Sequence, residues 1–185
     1  MPLEQADGPP HRFLGSTVLA ELGGWKFRHD RVEWPDGLIS DLRILDGPAA
    51  AVMVPVFEDG TTVLVRQWRH SWGESSWEVP AGTLNARETP EACAERELVE
   101  ETGLRARRWT ALGTARGTAV ATIRFHLFLA QELERVERAP EAAEADMVLR
   151  ELPLEEALEE ALAGGIQHAA SVTAIVRAAR AVGLI

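Results

Sequence analysis

The sequence predicts an α/β domain: a mixed sheet with helices packed on its faces, entered through an antiparallel strand region. Three observations carry that reading. Strand-like segments outnumber helical ones, hairpin signals crowd the first half, and the apolar period turns helical near residue 90.

The 185 residues suffice for one sizeable core and fall short of two comfortable domains. The first dozen residues, with "GPP", read as a loose tail. "GWKFRHDRVEW" and "LISDLRIL" flank the turn "WPDG" and predict a hairpin. "AAAVMVPVF" predicts a buried strand, turned by "EDG" into the β-branched run "TTVLVRQWR". A short strand in "SWEV" leads to "PAG", read as a tight turn that enters a loop. Pro90 to Thr102 predicts a helix, with Thr89 as N-cap, Pro90 at the first position and Gly103 just past the end. "RWTALGTA" and "IRFHLFLAQEL" predict two further strands. An acidic, Ala-rich loop, "ERVERAPEAAEAD", precedes a strand near "MVLREL", and "PLEEALEEALAGG" and "AASVTAIVRAARAV" predict two closing helices. There is no internal repeat.

Composition narrows the function. A net charge of −10 argues against a nucleic-acid or anionic-membrane binder, because phosphate backbones need clustered Lys and Arg. A small phosphate ligand held through a metal ion remains compatible with it. The longest apolar stretch, "PAAAVMVPVF", is too short to span a bilayer. The first residues lack a basic start followed by an apolar run, so no signal peptide is expected. A single cysteine, Cys93, allows no internal disulfide and suits a reduced, cytoplasmic setting. The five His are scattered without zinc-ligand spacing. Between Glu132 and Glu160, eleven acids stand against three arginines, which reads as a solvated surface.

The segment "GTLNARETPEACAERELVEETGL" does not read that way. On the predicted helix Glu97 and Glu101 are four residues apart, and Glu97 and Glu100 three apart. They share a face and repel one another. Glu100 and Glu101 also fall in the last turn, the unfavourable end of the helix dipole for an anion. Local conflict of this kind is what a functional site tolerates. A hard divalent cation relieves it: Mg²⁺ takes oxygen ligands, keeps several waters and shares its shell with substrate phosphates. Arg96 is placed to hold carboxylates by a bidentate contact. The opposite face, with Cys93, Ala94 and Leu98, suits packing on a sheet. Gly82 lets the backbone approach an ion closely, and a free carbonyl there, for example that of Ala81, is a candidate for a further hard oxygen ligand.

Written out, the pattern is Gly82, five residues, Glu88, seven residues, Arg96-Glu97-Leu98, one residue, Glu100-Glu101, one residue, Gly103-Leu104. It resembles the signature of the Nudix hydrolases at every fixed position. "VPVFEDGTTVLVRQWRHSWGESSWEVPAG", the strand-rich N-terminus and "GGIQHAASVTAIVRAAR" are similar to the ADP-ribose pyrophosphatase branch. The resemblance implies a Nudix-type α/β/α sandwich around a mixed sheet. Residues 1–46 would form the N-terminal strand region and dimerisation element, and residues 47–185 the hydrolase domain. It implies Mg²⁺-dependent hydrolysis, with Mn²⁺ as the alternative ion, of a nucleoside diphosphate linked to another moiety. ADP-ribose, giving AMP and ribose 5-phosphate, stands first. GDP-mannose, another nucleotide sugar or FAD stand as alternatives, and a sensor that binds without cleaving stands behind them.

Carried over by position, Ala81, Glu97, Glu100 and Glu101 are the implied metal ligands. Glu100 and Arg96 are catalytic, with Arg96 orienting the carboxylates, and Glu88 is outer-shell. Arg69 is the implied contact for substrate phosphates, and Trp25 and Trp34 are the implied adenine-stacking residues, with core or dimer packing as the alternative role. Glu144 is the implied water-activating base, with Glu141 and Asp146 as alternatives. A homodimer is implied, with no nucleic-acid or membrane partner. One departure stands out. The branch's proline-containing segment after the signature, which shapes the pocket for the distal ribose, is replaced by "TARGTAVATIRF", and this departure bears on ADP-ribose specificity, not on the hydrolase chemistry.

Overall fold

In the computed structural model, which describes residues 8–138 and 147–185, two compact units are distinguished: Met1–Gly47 with Thr118–Ile123, and Pro48–Gly117 with Arg124–Ile185. The first unit is a three-stranded antiparallel sheet, β1 (Arg12–Leu22), β2 (Trp25–Glu33) and β3 (Ile39–Asp46), in that order. Gly23 and Gly24 both take positive φ, the left-handed backbone a two-residue hairpin turn demands. Gly37 does the same at the "WPDG" turn, where its N–H donates to the Trp34 carbonyl. β1 begins at Arg12, so the tail read from the sequence gives way to strand slightly early.

The second unit is built on β4 (Ala50–Pro55). Its residues are nearly all buried, the pattern of a strand covered on both faces. β4 pairs in parallel with β9 (Phe125–Arg135) and antiparallel with β7 (Ala81–Thr83), and β9 pairs antiparallel with β8 (Leu104–Ala115). The resulting sheet, β7-β4-β9-β8, is mixed. A second antiparallel sheet, β10-β5-β6, joins β10 (Val148–Pro153), β5 (Thr61–Arg69) and β6 (Glu74–Glu78).

Successive strand residues point to opposite faces, and two cores follow. Val52 and Val54, with Leu127 and Leu129, pack on α2 (Leu154–Ala163) and α3 (Ala169–Ala181) through Leu158, Ala174 and Ile175. Ala51 and Met53, with Phe128 and Ala130, pack on α1 (Pro90–Thr102) through Cys93, Ala94 and Leu98. Burying Leu98 contributes about 2 kcal/mol. This is the predicted α/β/α sandwich. Two boundaries differ from the sequence reading. β8 starts at Leu104, directly after the helix, ahead of "RWTALGTA". "PAG" enters a short strand, not a turn, because β7 hydrogen-bonds to the edge of β4. Among the described residues no helix is long and apolar enough to cross a membrane.

Candidate active site

α1 starts and stops where its caps dictate. The Thr89 side chain accepts from Ala92 N–H, Pro90 occupies the first turn, and Gly103 ends the helix with φ 67°, its N–H donating to the Val99 carbonyl. With Cys93, Ala94 and Leu98 turned to the sheet, Glu97, Glu100 and Glu101 lie on the adjoining face. Glu97 is 7% exposed and Glu101 2% exposed, so two carboxylates are drawn out of water. The Glu101 Oε2 accepts the Ala81 N–H at 3.0 Å, which ties the helix to β7.

Arg96 is the hub of the cluster. Its Nε and Nη2 donate to the two oxygens of Glu88 at 2.9 and 3.0 Å, and Nη1 lies 2.8 Å from both Glu97 and Glu100. The hydrogen bonds to Glu88 are the main cause that pushes the guanidinium further up from its ordinary range. The same bonds hold the Glu88 carboxyl down at about 2. Burial pushes the neighbouring Cys93 thiol up to about 12, so it stays protonated and serves as packing.

Gly82 is required by space. Its backbone is extended, but a Cβ there would fall 1.8 Å from the Glu97 carboxyl carbon. The strand runs that close to the acid only because no side chain intervenes.

Beside β7 opens a cleft of about 270 Å³, lined by Ala50, Arg69, Ser71, Trp72, Ala81, Gly82, Thr83, Phe125 and His168. Arg69 donates from Nε and Nη2 to both oxygens of Glu78, at 2.7 and 2.5 Å. Glu78 is 0% exposed. Burial pushes its carboxyl up, but the hydrogen bonds from Arg69 and His168 outweigh that and hold it down at about 2. His168 Nδ1 lies 3.0 Å from Glu78 Oε2 and 2.8 Å from Ser171 Oγ, and Ser171 in turn accepts from Val79 N–H. A wider, open depression of about 680 Å³ near Phe57, Arg107 and Glu132 involves none of these groups.

The second unit thus gathers Ala81, Glu97, Glu100, Glu101, Arg96 and Glu88 around α1 and β7, with Arg69 in the adjoining cleft. Trp25 and Trp34 belong to the first unit. Trp34 Nε1 donates to Ser40 Oγ and its ring meets His11 edge-on, while Trp25 lies over Gly47. Glu141, Glu144 and Asp146 fall outside the described residues. Sequence reasoning missed Glu78, His168 and Ser171. The only local signal was an acid in the apolar strand "SWEV".

The donor set suits a hard cation. It consists of carboxylate oxygens, two of them nearly buried, beside a strand kept free of side-chain bulk at Gly82. Among the described residues no three acidic, His or Cys groups already close into a cage. Arg96 balances the charge of the acids, and Mg²⁺ ordinarily completes its shell with waters and phosphate oxygens.

Residues 47–174 match the NUDIX domain family. The chain is 36% identical over 169 residues to an ADP-ribose pyrophosphatase of Mycobacterium tuberculosis, covering 88% of this chain and 80% of that one. It is 38% identical over 132 residues to an ADP-ribose pyrophosphatase of Bacillus subtilis, covering 69% and 70%. A crystal structure of an ADP compounds hydrolase superposes with a TM-score of 0.82 at 18% identity, covering 98% of this chain and 100% of that one, which establishes likeness of fold.

Proposed function

The chain belongs to the NUDIX family and is a pyrophosphohydrolase, and from that premise we propose that it splits ADP-ribose into AMP and ribose 5-phosphate with the help of a divalent cation. The observation that carries the reading is the acid face of α1, held by Arg96 against β7 and opening beside the Arg69 cleft. Glu97, Glu100, Glu101 and the Ala81 carbonyl are the proposed ligands of Mg²⁺ or Mn²⁺. When bound, such an ion screens the diphosphate and polarises a phosphoryl oxygen.

The chain's own groups do the rest. Arg69, held rigid by Glu78, presents a fixed cation where charge spreads during phosphoryl transfer. Arg96 orients the carboxylates of Glu97 and Glu100 and is oriented itself by Glu88. Glu144, by its position in the sequence, is the proposed acceptor for the proton of the attacking water. The segment "TARGTAVATIRF" supports keeping a second substrate reading, another nucleotide sugar or FAD, within the same chemistry.

Product release should be measured over ADP-ribose, GDP-mannose, UDP-glucose and FAD with Mg²⁺. Cleavage of ADP-ribose above the others is expected, and silence on all four rejects the reading. In the same buffer, Mg²⁺ at a hundred times its Kd contributes about 2.7 kcal/mol. The melting temperature then rises by roughly 5–10 °C, and no shift would count against the acid face as a cation site.

A homodimer formed through the first unit is also proposed. Its sheet leaves Phe13 60% exposed, with Val18, Leu19 and Phe27 also exposed, and apolar surface of that kind suits an interface. Light scattering on the eluting protein should give twice the 20.3 kDa chain mass, and a monomer at micromolar concentration would exclude it.

A further inference from the structure

Glu78 holds Arg69, but its contact with the half-buried His168 has no part in the chemistry described so far. His168 stands at the N-cap of α3, yet its side chain makes no capping bond to the helix backbone. Its Nδ1 instead faces the Glu78 carboxylate at 3.0 Å and Ser171 Oγ at 2.8 Å. An ionised carboxylate only accepts, so a bare Nδ1 there would set two lone pairs against each other. Nδ1 therefore carries the proton. In the tautomer that this contact selects, Nε2 is the acceptor of the ring. Among the described residues Nε2 has no hydrogen-bond partner, and His168 lines the cleft.

The surroundings select the ligand group. Phe125 meets the His168 ring edge-on at 6.2 Å, and Trp72, 46% exposed, lies 6.2 Å from it on the cleft rim. Two aromatic surfaces around one acceptor suit a ring or sugar bearing an N–H or O–H donor. They do not suit a phosphate, which itself only accepts, and Arg69 in the same cleft answers that need.

We propose that His168 is a specificity-determining substrate contact, whose Nε2 accepts a hydrogen from an amino or hydroxyl group on the nucleoside or sugar end of the substrate, with Glu78 as its positioning residue. The proposal rests on the hydrolase reading above and deepens it.

Asparagine and glutamine separate the two ends of the imidazole. His168→Asn keeps a donor near the Nδ1 position but does not reach the Nε2 position. His168→Gln places a carbonyl oxygen near Nε2. The kcat/KM and the calorimetric Kd should be measured on ADP-ribose and on analogues lacking, one at a time, the 6-amino group and each free sugar hydroxyl. Wild type is expected to discriminate against one of these analogues by tenfold or more. His168→Asn loses that discrimination by weakening only the parent substrate, and His168→Gln retains most of it. Which analogue responds identifies the amino or the hydroxyl source. A uniform loss across all substrates, or no loss, in a folded His168→Asn protein overturns the contact. Absent turnover with the Kd pattern intact would overturn the hydrolase reading and keep the contact, and absence of both would overturn both.

Discussion

Glu97→Gln is expected to lower kcat for diphosphate hydrolysis about a thousandfold and to leave the chain folded. The side chain keeps its volume, so the tight approach to Gly82 survives, but the anion disappears from the centre of the acid face. A bound cation contributes several kcal/mol of transition-state charge stabilisation. Losing about 4 kcal/mol of it corresponds to a thousandfold at 1.36 kcal/mol per factor of ten. Stability should barely change, because removing one of three crowded like charges relieves repulsion on the helix. Steady-state kinetics beside a melting curve checks both halves, and a loss in kcat of less than tenfold would remove Glu97 from the cation site. Gly82→Ala should reproduce the loss by another route. The added methyl occupies the place of the Glu97 carboxyl and pushes it out of position without altering charge.

Removing the Glu78 side chain has the largest expected effect on stability. Glu78→Ala leaves Arg69 partly buried without its partner and opens a gap under the cleft. Breaking a buried pair from one side costs about 3–5 kcal/mol, and Arg69 can still reach solvent, so about 2–3 kcal/mol is expected. That lowers the melting temperature by roughly 5–10 °C. KM should rise as well, because Arg69 is no longer held over the cleft.

Acid titration gives an independent check on the same residue. The Glu78 carboxyl is held at about 2 in the folded chain, against an ordinary 4.5. Its contribution is complete above about 4.5 and is lost as pH falls through that window, because the unfolded chain binds the proton first. Glu88 falls in the same window, held down by Arg96. Wild type should therefore lose stability between about pH 4.5 and 2, and Glu78→Ala should show a shallower slope there. Equal slopes would mean that the buried carboxyl is not ionised.

The helix and its acids were legible because everything that defines them is local. Thr89, Pro90 and Gly103 fix its ends within one segment, and Glu97, Glu100 and Glu101 meet at helical spacing whatever the rest of the chain does. The strands were legible for the same reason, since apolar runs and turn residues lie side by side in sequence. β7 was not, because its identity depends on hydrogen bonds to β4, whose residues lie about thirty positions earlier. Glu78 and His168 were hidden more deeply. Their contact joins residues ninety positions apart, across β6 and the start of α3, and no periodicity reports it. The role expected of Arg69 rests on resemblance alone, and its bidentate hold on Glu78 depends on the pairing of β5 with β6.

Arg96 occupies the centre of the acid cluster in a form the chain makes for itself. A guanidinium that reaches Glu88, Glu97 and Glu100 offsets the repulsion among the acids by itself, so the fold is expected to persist without the ion. We expect the chelated protein to keep its circular dichroism while losing turnover, and to recover fully when Mg²⁺ is restored. Collapse of the spectrum on chelation would contradict this. A chelator would then act on this protein as a reversible off-switch, and the ion as an interchangeable part whose supply sets when the machine runs.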